Sequence, residues 1–473
     1  MMKKVFLFMF AIGALTVTSC GSDDNDPIIV QNTDFDGDGI EDSVDNCAAN
    51  SNPNQEDADG DGIGDVCDPD GPVGSTGGET ITVSGNITSD TEWVAENSYI
   101  LDGRVFVAQG ATLTIQAGTI IKANAGTGAN ASVLIVTRGS KIEALGTAAA
   151  PIVFTSAADN IALGQTAGTN LDQNDRGLWG GLIILGNAPA SFDGDATSAQ
   201  IEGIPSDTDG DLGLYGGTEA ADDSGTIRYV SIRHGGALIG EGNEINGLTL
   251  GGVGAGTTID YVEVVGNVDD GIEFFGGTVN ATNLFVWAQG DDGLDIDQAY
   301  SGTIDNAVVV QGEISDHALE IDGPEGSAMG SFTLTNATLI GLSENIADGE
   351  IADYRSGATG NTNNILITGF TGVGTTTDDD GDEVNFQLSD VELDNDGVAA
   401  NYTAGSLVFS AWEVILPMGV TTSAEIFDDR SDVGSTFEVD AATFSMAVTT
   451  GTVGANTSAF SWTYANAKAG LGF

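Results

Sequence analysis

Residues 289–298 read QGDDGLDIDQ, which places four carboxylates within seven residues, threaded between apolar side chains. Two carboxylates in different environments can act as acid and base on a glycosidic bond, and several together can bind hard cations such as Ca²⁺. A histidine and a further glutamate follow one segment later in the chain. The candidate catalytic residues are therefore Asp292, Asp295, His317 and Glu320.

Similar acidic segments recur along the chain, as GIEFFGG at 271–277, ALEID at 318–322 and GEIAD at 349–353. In GLDID, apolar residues alternate with acids, so we expect the apolar pair to face a core and the acids to face outwards. Stacking of these segments would align their acids in columns. The expected members are Glu273, Asp295, Glu320 and Glu350 in one ladder, and Asp297 and Asp322 in a second.

Stacked carboxylates repel one another. At a strand spacing of about 4.8 Å the cost is about 0.9 kcal/mol per pair in water and about 3.5 kcal/mol at an effective dielectric of 20. Bridging cations, protons held through raised pKa values, or side chains that splay into salty water could each offset it. Catalysis needs two carboxyls of unlike pKa, whereas this face repeats similar ones, which favours cations over catalysis. The predicted cation site comprises Glu273, Asp295, Asp297, Glu320 and Asp322.

The elements that must position these residues are short β-branched runs broken by Gly, Asn and Asp, which predict strands and an all-β fold. One series of similar segments is aligned on Val262, Leu284, Ala307 and Ala337. It advances by 22, 23 and 30 residues. A step of about 22–25 residues is typical of one coil of a parallel β-helix, whose apolar face is buried only by stacking on its neighbours. We predict this β-helix over residues 80–402 and a strand-rich cap over 403–473.

Two stretches carry a family resemblance: LDGRVFVAQGATLTIQAGTIIK, from residue 101, and RGLWGGLIILGNA, from residue 176. They resemble surface β-helix lipoproteins of flavobacteria, within the right-handed parallel β-helix proteins of the pectate-lyase-like superfamily. The resemblance implies a right-handed parallel β-helix. It implies no single activity, because one fold hosts many functions.

Enzymes with this fold provide a test for catalysis. Polygalacturonase-type hydrolases carry an Asp-Asp pair, followed by a His between glycines and an Arg-x-Lys. Asp291 and Asp292 could be such a pair, but His234 precedes them and no Arg-x-Lys follows. Calcium-dependent lyases need a base, and bases are scarce in the central coils. The sequence therefore favours a binding protein, with a polysaccharide lyase or glycoside hydrolase as the alternative and a structural surface rod as a third possibility.

Two segments near the N-terminus, DFDGDGIEDSVDNC and DADGDGIGDVCD, have the spacing of calcium-binding loops, with oxygen ligands at positions 1, 3, 5, 7, 9 and 12 and Gly at 6. The first loop offers Asp34, Asp36, Asp38, the Ile40 carbonyl, Asp42 and Asp45. The second offers Asp57, Asp59, Asp61, the Ile63 carbonyl, Asp65 and Asp68. Asp rather than Glu at position 12 predicts weaker binding. The segment resembles thrombospondin type 3 repeats, which implies a calcium-ordered stalk over residues 34–68.

The N-terminus contains two lysines, an apolar run from Val5 to Val17, and then Cys20. The run is too short to span a membrane comfortably. It resembles a bacterial lipoprotein signal peptide with Cys20 as the acylated residue, and the GSDDND that follows resembles the surface-export signal of Bacteroidetes lipoproteins. The expected boundaries are 1–19 for the signal peptide, 20–33 for the lipid anchor and acidic tether, and 69–79 for a linker. We expect the protein on the outer face of the outer membrane.

The charge composition of the chain limits which partners it can bind. The chain carries 71 Asp and Glu against 12 Lys and Arg, a net charge of −59. Too few bases remain to neutralise phosphates, so nucleic acid is excluded as a partner.

With Cys20 lipidated, Cys47 and Cys67 form an even pair in an exported protein, which predicts a disulfide. We expect calcium as the cofactor, and a glycan or another surface protein as the partner besides the membrane.

Overall fold

The computed structural model describes residues 34–55, 63–64, 66–67, 78–204, 211–239, 245–342, 350–377, 383–385 and 388–473. The chain divides into two compact units, Met1–Thr76 and Gly77–Phe473. The predicted lipid at Cys20, and residues 1–33 as a whole, lie outside the described part of the chain. Within the described part, no helix has the length and apolar character needed to cross a membrane.

The described part of the first unit is held by polar contacts and one disulfide. The predicted bond between Cys47 and Cys67 is confirmed, with their Cα atoms 5.6 Å apart. Asn52 is buried and donates a hydrogen bond of 2.7 Å to the side chain of Asn46. The apolar side chain of Phe35, in contrast, is 80% exposed. A segment with so little buried apolar surface depends on its cross-link and its polar contacts for order.

The second unit is built mainly from strands. The first fourteen are β1 (Thr80–Ile87), β2 (Thr91–Trp93), β3 (Ser98–Val107), β4 (Thr112–Ile115), β5 (Ile120–Ala123), β6 (Val133–Val136), β7 (Lys141–Leu145), β8 (Ile152–Ser156), β9 (Leu182–Leu185), β10 (Ala199–Gln200), β11 (Leu214–Tyr215), β12 (Gly225–Arg233), β13 (Leu248–Gly251) and β14 (Thr258–Val265). The remainder are β15 (Ile272–Phe275), β16 (Asn280–Trp287), β17 (Leu294–Asp297), β18 (Thr303–Val310), β19 (His317–Ile321), β20 (Phe332–Ile340), β21 (Glu350–Tyr354), β22 (Gly360–Thr368), β23 (Thr375–Thr377), β24 (Glu383–Asn385), β25 (Val391–Leu393), β26 (Leu407–Val414), β27 (Phe427–Asp429) and β28 (Ser445–Ala447).

Helices are few and short. The α-helices are α1 (Asp396–Ala404), α2 (Phe437–Phe444) and α3 (Tyr464–Ala469). The 3₁₀ helices are Gly128–Asn130, Asp193–Asp195, Ser423–Ile426 and Thr457–Phe460. Among the described residues, twenty-four strands form one sheet by parallel pairing, while β10 with β11 and β23 with β24 form two small antiparallel sheets. The predicted all-β parallel β-helix is confirmed.

From β14 to β21, each coil combines one long bent strand with one short strand. The long strands bend at a residue with positive φ, which is asparagine in four consecutive coils, at Asn283, Asn306, Asn336 and Asn364. Asparagine tolerates this left-handed conformation better than most residues. Their side chains also stack, since Asn306 donates to Asn283 at 2.6 Å and Asn364 donates to Asn336 at 3.0 Å. The bend turns the chain onto the next face and so sets where the short strand begins.

The predicted repeat alignment is confirmed by the strand register. The aligned residues pair in the order Val262, Leu284, Ala307 and Ala337. Strands β13, β15, β17, β19, β21, β25 and β27 stack in parallel and are called the short-strand face. On this face Ile272, Leu294 and Leu319 are fully buried in the core, and burial of each contributes about 1.5–3 kcal/mol. Because side chains alternate along a strand, the residue after each of them must point away from the core.

Parallel pairing continues past residue 402, where we expected the β-helix to end. β26 pairs with β22, β27 with β25, and β28 with β26. The apolar pattern is also kept, because Trp412 and Phe427 both lie in the core. The inserted α1 and α2 lengthen the step between coils, so a search for a constant repeat does not detect these strands.

The C-terminal segment packs against the bent strands. Buried Glu263 accepts hydrogen bonds from the backbone N–H groups of Tyr464 (3.1 Å) and Ala465 (2.8 Å), at the start of α3. The guanidinium of Arg233 lies 4.3 Å from the centre of the Tyr464 ring. A carboxylate at the start of a helix is favourable because the N–H groups there have no partner within the helix. The segment that follows the last coil is therefore attached to earlier coils.

Candidate metal centres and the acidic cleft

The first calcium loop brings its predicted ligands together. One carboxylate oxygen each from Asp34, Asp36 and Asp38 lies within 4.8 Å of the other two. This matches oxygens on one Ca²⁺, because two ligands at about 2.3–2.6 Å from an ion are at most about 5 Å apart. Asp36 Oδ2 and Asp45 Oδ2 are buried without a hydrogen-bond partner, and Gly39 has the positive φ that the sharp turn needs. The residues present therefore fit a calcium ion.

The other predicted ligands of the stalk are placed only in part. In the first loop, Asp42 Oδ1 accepts the backbone N–H of Phe35 at 2.8 Å, and Ile40 donates its own N–H to Asp38 at 2.8 Å. Ile63 is the only predicted ligand of the second loop within the described residues. The remaining ligands of that loop, Asp57, Asp59, Asp61, Asp65 and Asp68, lie outside the described residues and stay predictions.

The short-strand face carries a ladder of six carboxylates. Its members pair in register in the order Glu273, Asp295, Glu320, Asp353, Glu392 and Asp428, and are called the acidic ladder. The predicted inclusion of Glu350 is wrong, because Glu350 pairs with His317. Ala352 and Tyr354 are buried in the core, so Asp353 between them points outwards and takes the ladder position. The step from Glu320 to Glu350 is 30 residues long and includes an insertion, so the short repeated acidic segment could not reveal the strand register.

The ladder points away from the core but is not solvated. Glu273, Asp295 and Glu320 are only 7%, 8% and 7% exposed. Residues 186–204 and 211–224, which connect β9 to β12 and are called the roof segment, lie over this part of the face. The Tyr215 ring lies 5.9 Å from that of Phe275, and its hydroxyl donates to Gln298 at 2.7 Å. Of the three ways to offset the repulsion, side chains splayed into salty water are therefore excluded for these three carboxylates.

Burial raises the pKa of these carboxyls because the charged form loses its hydration, and neighbouring carboxylates add to the effect. Both causes raise the pKa values of Glu273 and Asp295 well above their usual range. Burial first, and then the charge of Asp322, raise the pKa of Asp297 to about 7. Burial also raises the pKa of Asp353 to about 6. Unless a cation is present, part of this face holds protons near neutral pH.

Two arginines neutralise the C-terminal part of the acidic ladder. Arg355 forms ion pairs with Glu320 and with Asp322, the latter at 2.7 Å. Arg430 forms ion pairs with Glu392, Asp390 and Asp428. Its guanidinium nitrogens lie 3.2 Å from Asp390 and 3.1 Å from Asp428. One planar guanidinium can serve several carboxylates because it carries five N–H donors.

His317 adds a further positive charge beside the ladder. Its Nδ1 lies 2.8 Å from Asp292 Oδ1 and 3.6 Å from Glu320 Oε2. Burial alone would lower the pKa of His317, but the hydrogen bond and charge of Asp292 overcome this and raise the pKa to about 9. The imidazole is therefore protonated at neutral pH and offsets negative charge.

The four candidate catalytic residues lie together. Asp292 and Glu320 both contact His317, and Asp295 pairs with Glu320 in register. Their chemistry is nevertheless constrained, because a protonated His317 cannot accept a proton and Glu320 is engaged by Arg355. Catalysis by these residues stays a prediction.

A second column lies in the turns before the short strands. Asn246 Oδ1 accepts the N–H of Asp270 (3.2 Å), Asp270 Oδ1 accepts that of Asp292 (3.0 Å), and Asp292 Oδ1 accepts that of His317 (2.8 Å). The predicted cation site lacks Asp270, although one of its oxygens lies within 4.8 Å of oxygens of Glu273 and Asp295. The signal was present in the sequence, since an Asn-Gly or Asp-Gly pair precedes β13, β15 and β17.

A cleft of about 770 Å³ lies between the roof segment and the acidic ladder. The residues that line it on the ladder side include Glu273, Asp295, Asp297, Glu320, Asp322 and Arg355. Those on the roof side include Phe192, Asp193, Ala196, Gln200, Glu202 and Tyr215. The aromatic rings are largely buried in contacts with one another, and Trp179 and Trp412 lie in the core. These rings therefore do not form an exposed platform for sugars in the cleft.

The stacked coils and the acidic cleft define a protein of the parallel β-helix class. Within this class the chain belongs to the pectate-lyase-like β-helix domain family, whose model matches residues 85–465. The thrombospondin type 3 repeat model matches residues 30–55, so the resemblances to pectate-lyase-like β-helix proteins and to thrombospondin type 3 repeats are confirmed.

Two solved structures are similar to this chain, and both are pectin methylesterases in complex with a hexasaccharide. The first, a mutant, has 11% identity and a TM-score of 0.21, and the match covers 67% of this chain and 85% of that chain. The second has 10% identity and a TM-score of 0.22, with the same coverage. Comparison with curated proteins found no significant match.

Proposed function

We propose that the protein is a calcium-binding surface lipoprotein that binds a glycan, or another surface component, in the cleft beside the acidic ladder. The observation that carries this proposal is the cleft itself, about 770 Å³ of space lined largely by carboxylates and amides under the roof segment. A concave site of this size with convergent polar groups is the usual form of a ligand site. Carboxylate oxygens accept hydrogen bonds from sugar hydroxyls.

The negative charge of the protein limits which classes of glycan can bind in the cleft. A polyanionic glycan would be repelled by a chain of net charge −59 unless divalent cations lay between the two. Neutral glycans can bind through their hydroxyl groups alone. We therefore propose a neutral glycan, or an acidic one bridged by calcium, as the class of ligand.

The proposed location follows from the N-terminal motifs. The lipobox-like segment that ends at Cys20 supports a lipid anchor, and the acids after it support export to the outer face of the outer membrane. The thrombospondin type 3 match at 30–55 supports a calcium-dependent spacer between the anchor and the β-helix.

A polysaccharide lyase or glycoside hydrolase is the second candidate function. The contacts of His317 with Asp292 and Glu320 favour it, since an imidazole between two carboxylates can shuttle protons when its pKa lies near the working pH. The raised pKa of His317 weighs against it, because it keeps this group charged.

Glycan binding by the full chain tests the proposal. An array of bacterial and plant glycans would be probed with the full chain, with and without calcium. Ala196→Trp fills the exposed mouth of the cleft, and if the cleft is the site it should reduce glycan binding at least about tenfold. Ala149→Trp is the matched control, because Ala149 is exposed in a turn that does not line the cleft. Equal binding by both variants would contradict the proposal, and release of shorter saccharides would favour the enzyme instead.

A further inference from the structure

We propose that Asp270, Glu273 and Asp295, called here the carboxylate triad, bind one divalent cation, and that its chemistry is that of Ca²⁺. One carboxylate oxygen from each residue lies within 4.8 Å of the other two, a separation that one calcium ion with ligands at about 2.3–2.6 Å can span. All ligands are carboxylates, the donors preferred by hard cations. The inference deepens the proposed function by assigning an ion to the cleft, and it rests on that function only for the role of the ion.

Burial provides the first reason for a bound ion. The side chains of Asp270, Glu273 and Asp295 belong to residues only 7%, 7% and 8% exposed, and Asp295 Oδ1 has no hydrogen-bond partner. A buried charged oxygen without a partner is unfavourable, because nothing replaces the water that it has lost. A cation within reach of all three carboxylates would replace that water.

The rest of the acidic ladder provides the second reason. Arg355 forms ion pairs with Glu320 and Asp322, and Arg430 forms them with Asp390, Glu392 and Asp428. Within the described part of the chain, no arginine, lysine or histidine forms an ion pair with the carboxylate triad. The same stack of carboxylates thus forms ion pairs with arginines at one end and not at the other. This difference separates the triad from Glu320 and Asp322, which sequence reasoning placed in the cation site.

The surroundings of the carboxylate triad orient its members. Asn246 donates a hydrogen bond to Glu273 Oε2 and accepts one from the N–H of Asp270 at 3.2 Å. Asp270 Oδ1 accepts the N–H of Asp292 at 3.0 Å. Bonds of this kind hold metal ligands in place before the ion arrives. Glu273 and Asp295 also line the cleft, which provides an entry path and water for the remaining coordination positions.

Protons shared among the three carboxylates could also relieve their mutual repulsion. A direct measurement of ion binding distinguishes a bound cation from shared protons. Terbium(III) replaces calcium at oxygen sites and emits when a nearby tyrosine or tryptophan is excited. Residues 20–79 contain neither Tyr nor Trp, whereas Tyr215 lines the same cleft as Glu273 and Asp295. Sensitised emission that Tyr215→Phe lowers therefore reports on the cleft.

The experiment measures terbium emission from the full chain and its displacement by calcium. We expect saturable terbium emission that falls when calcium displaces the bound terbium. Asp295→Asn should weaken the affinity for both ions at least about tenfold, because it removes a metal ligand. Tyr215→Phe should lower the emission without changing calcium affinity. Glu392→Gln is the matched control, a ladder carboxylate paired with Arg430 whose loss should leave affinity unchanged. Glu273→Gln, checked by circular dichroism, provides a second ligand variant with the same expectation as Asp295→Asn.

Several outcomes would overturn the inference. These are an absence of saturable emission, an unchanged affinity in both folded ligand variants, or an equal loss of affinity in Glu392→Gln. Because no glycan is present in this experiment, its failure is distinct from failure of the proposed function. Ion binding without glycan binding would contradict only the proposed function, and glycan binding without ion binding would contradict only the inference.

Discussion

Asp295 lies directly beside Glu320 on adjacent coils, but only Glu320 forms an ion pair, with Arg355. The two carboxylates are equally buried, at 8% and 7% exposure. Identical positions in the repeat therefore have different electrostatic environments. The acidic ladder is regular in its backbone and irregular in how its charge is balanced.

Removal of Arg355 should destabilise the β-helix. Arg355→Gln leaves Asp322 without its cation and Glu320 with only the more distant His317. The expected loss in the free energy of unfolding is about 2 kcal/mol, between the values for exposed and buried ion pairs, because Arg355 is itself 39% exposed. Urea unfolding of the full chain measures it. Arg228→Gln is the control, since its ion pair with Asp260 has a half-exposed arginine and should contribute less than about 1 kcal/mol. Equal losses in the two variants would contradict the assignment.

Stability without calcium should fall as the pH rises. A carboxyl whose pKa is raised in the folded state binds more protons folded than unfolded, so its contribution is complete below the unfolded pKa and is lost as the pH rises through the folded value. For Asp297 that loss is complete once the pH has passed about 7, and for Asp353 once it has passed about 6. In chelator, the urea midpoint should therefore be lower at pH 8 than at pH 5, and calcium should reduce the difference. Asp297→Asn should weaken the dependence. A midpoint that rises between pH 5 and pH 8 in chelator would be the contrary result.

Calcium should bind the stalk independently of the cleft. Asp34→Ala combined with Asp57→Ala removes the first ligand of each loop, and calorimetric titration of the full chain should then show fewer bound calcium ions than in the unchanged protein. The exposed Asp432→Ala, outside both acidic regions, serves as the control. An unchanged number of ions would show that the loops do not bind calcium.

The lipid anchor should depend on Cys20 alone. Cys20→Ser removes the predicted acylation site. The protein should then move from the membrane fraction to the soluble fraction after a high-salt wash, because the energy of such an anchor lies in the buried acyl chains. Cys47→Ser together with Cys67→Ser is the matched control, since it removes the disulfide but keeps Cys20. Retention of the Cys20→Ser protein in membranes would point to another anchor.

The repeat, the alternation within each strand and the spacing of the first calcium loop can all be predicted from the amino-acid sequence alone. The alignment of Val262, Leu284, Ala307 and Ala337 was predictable because each coil must bury the same positions against its neighbours. The disulfide was predictable because only two cysteines were left to pair. These features depend on spacing within one or two segments, and spacing is written in the sequence.

The burial of the acidic ladder and the balance of its charge depend on how distant parts of the chain pack together. The roof segment that covers Asp295 lies some 70 to 110 residues earlier in the chain, and its approach depends on contacts such as that of Tyr215 with Phe275. The pairing of Arg355 with Glu320, and the exclusion of Glu350, depend on a register set by which apolar residues enter the core. Long-range packing chooses among registers that are locally equivalent, so no local pattern could have revealed which carboxylates have a side-chain cation and which do not.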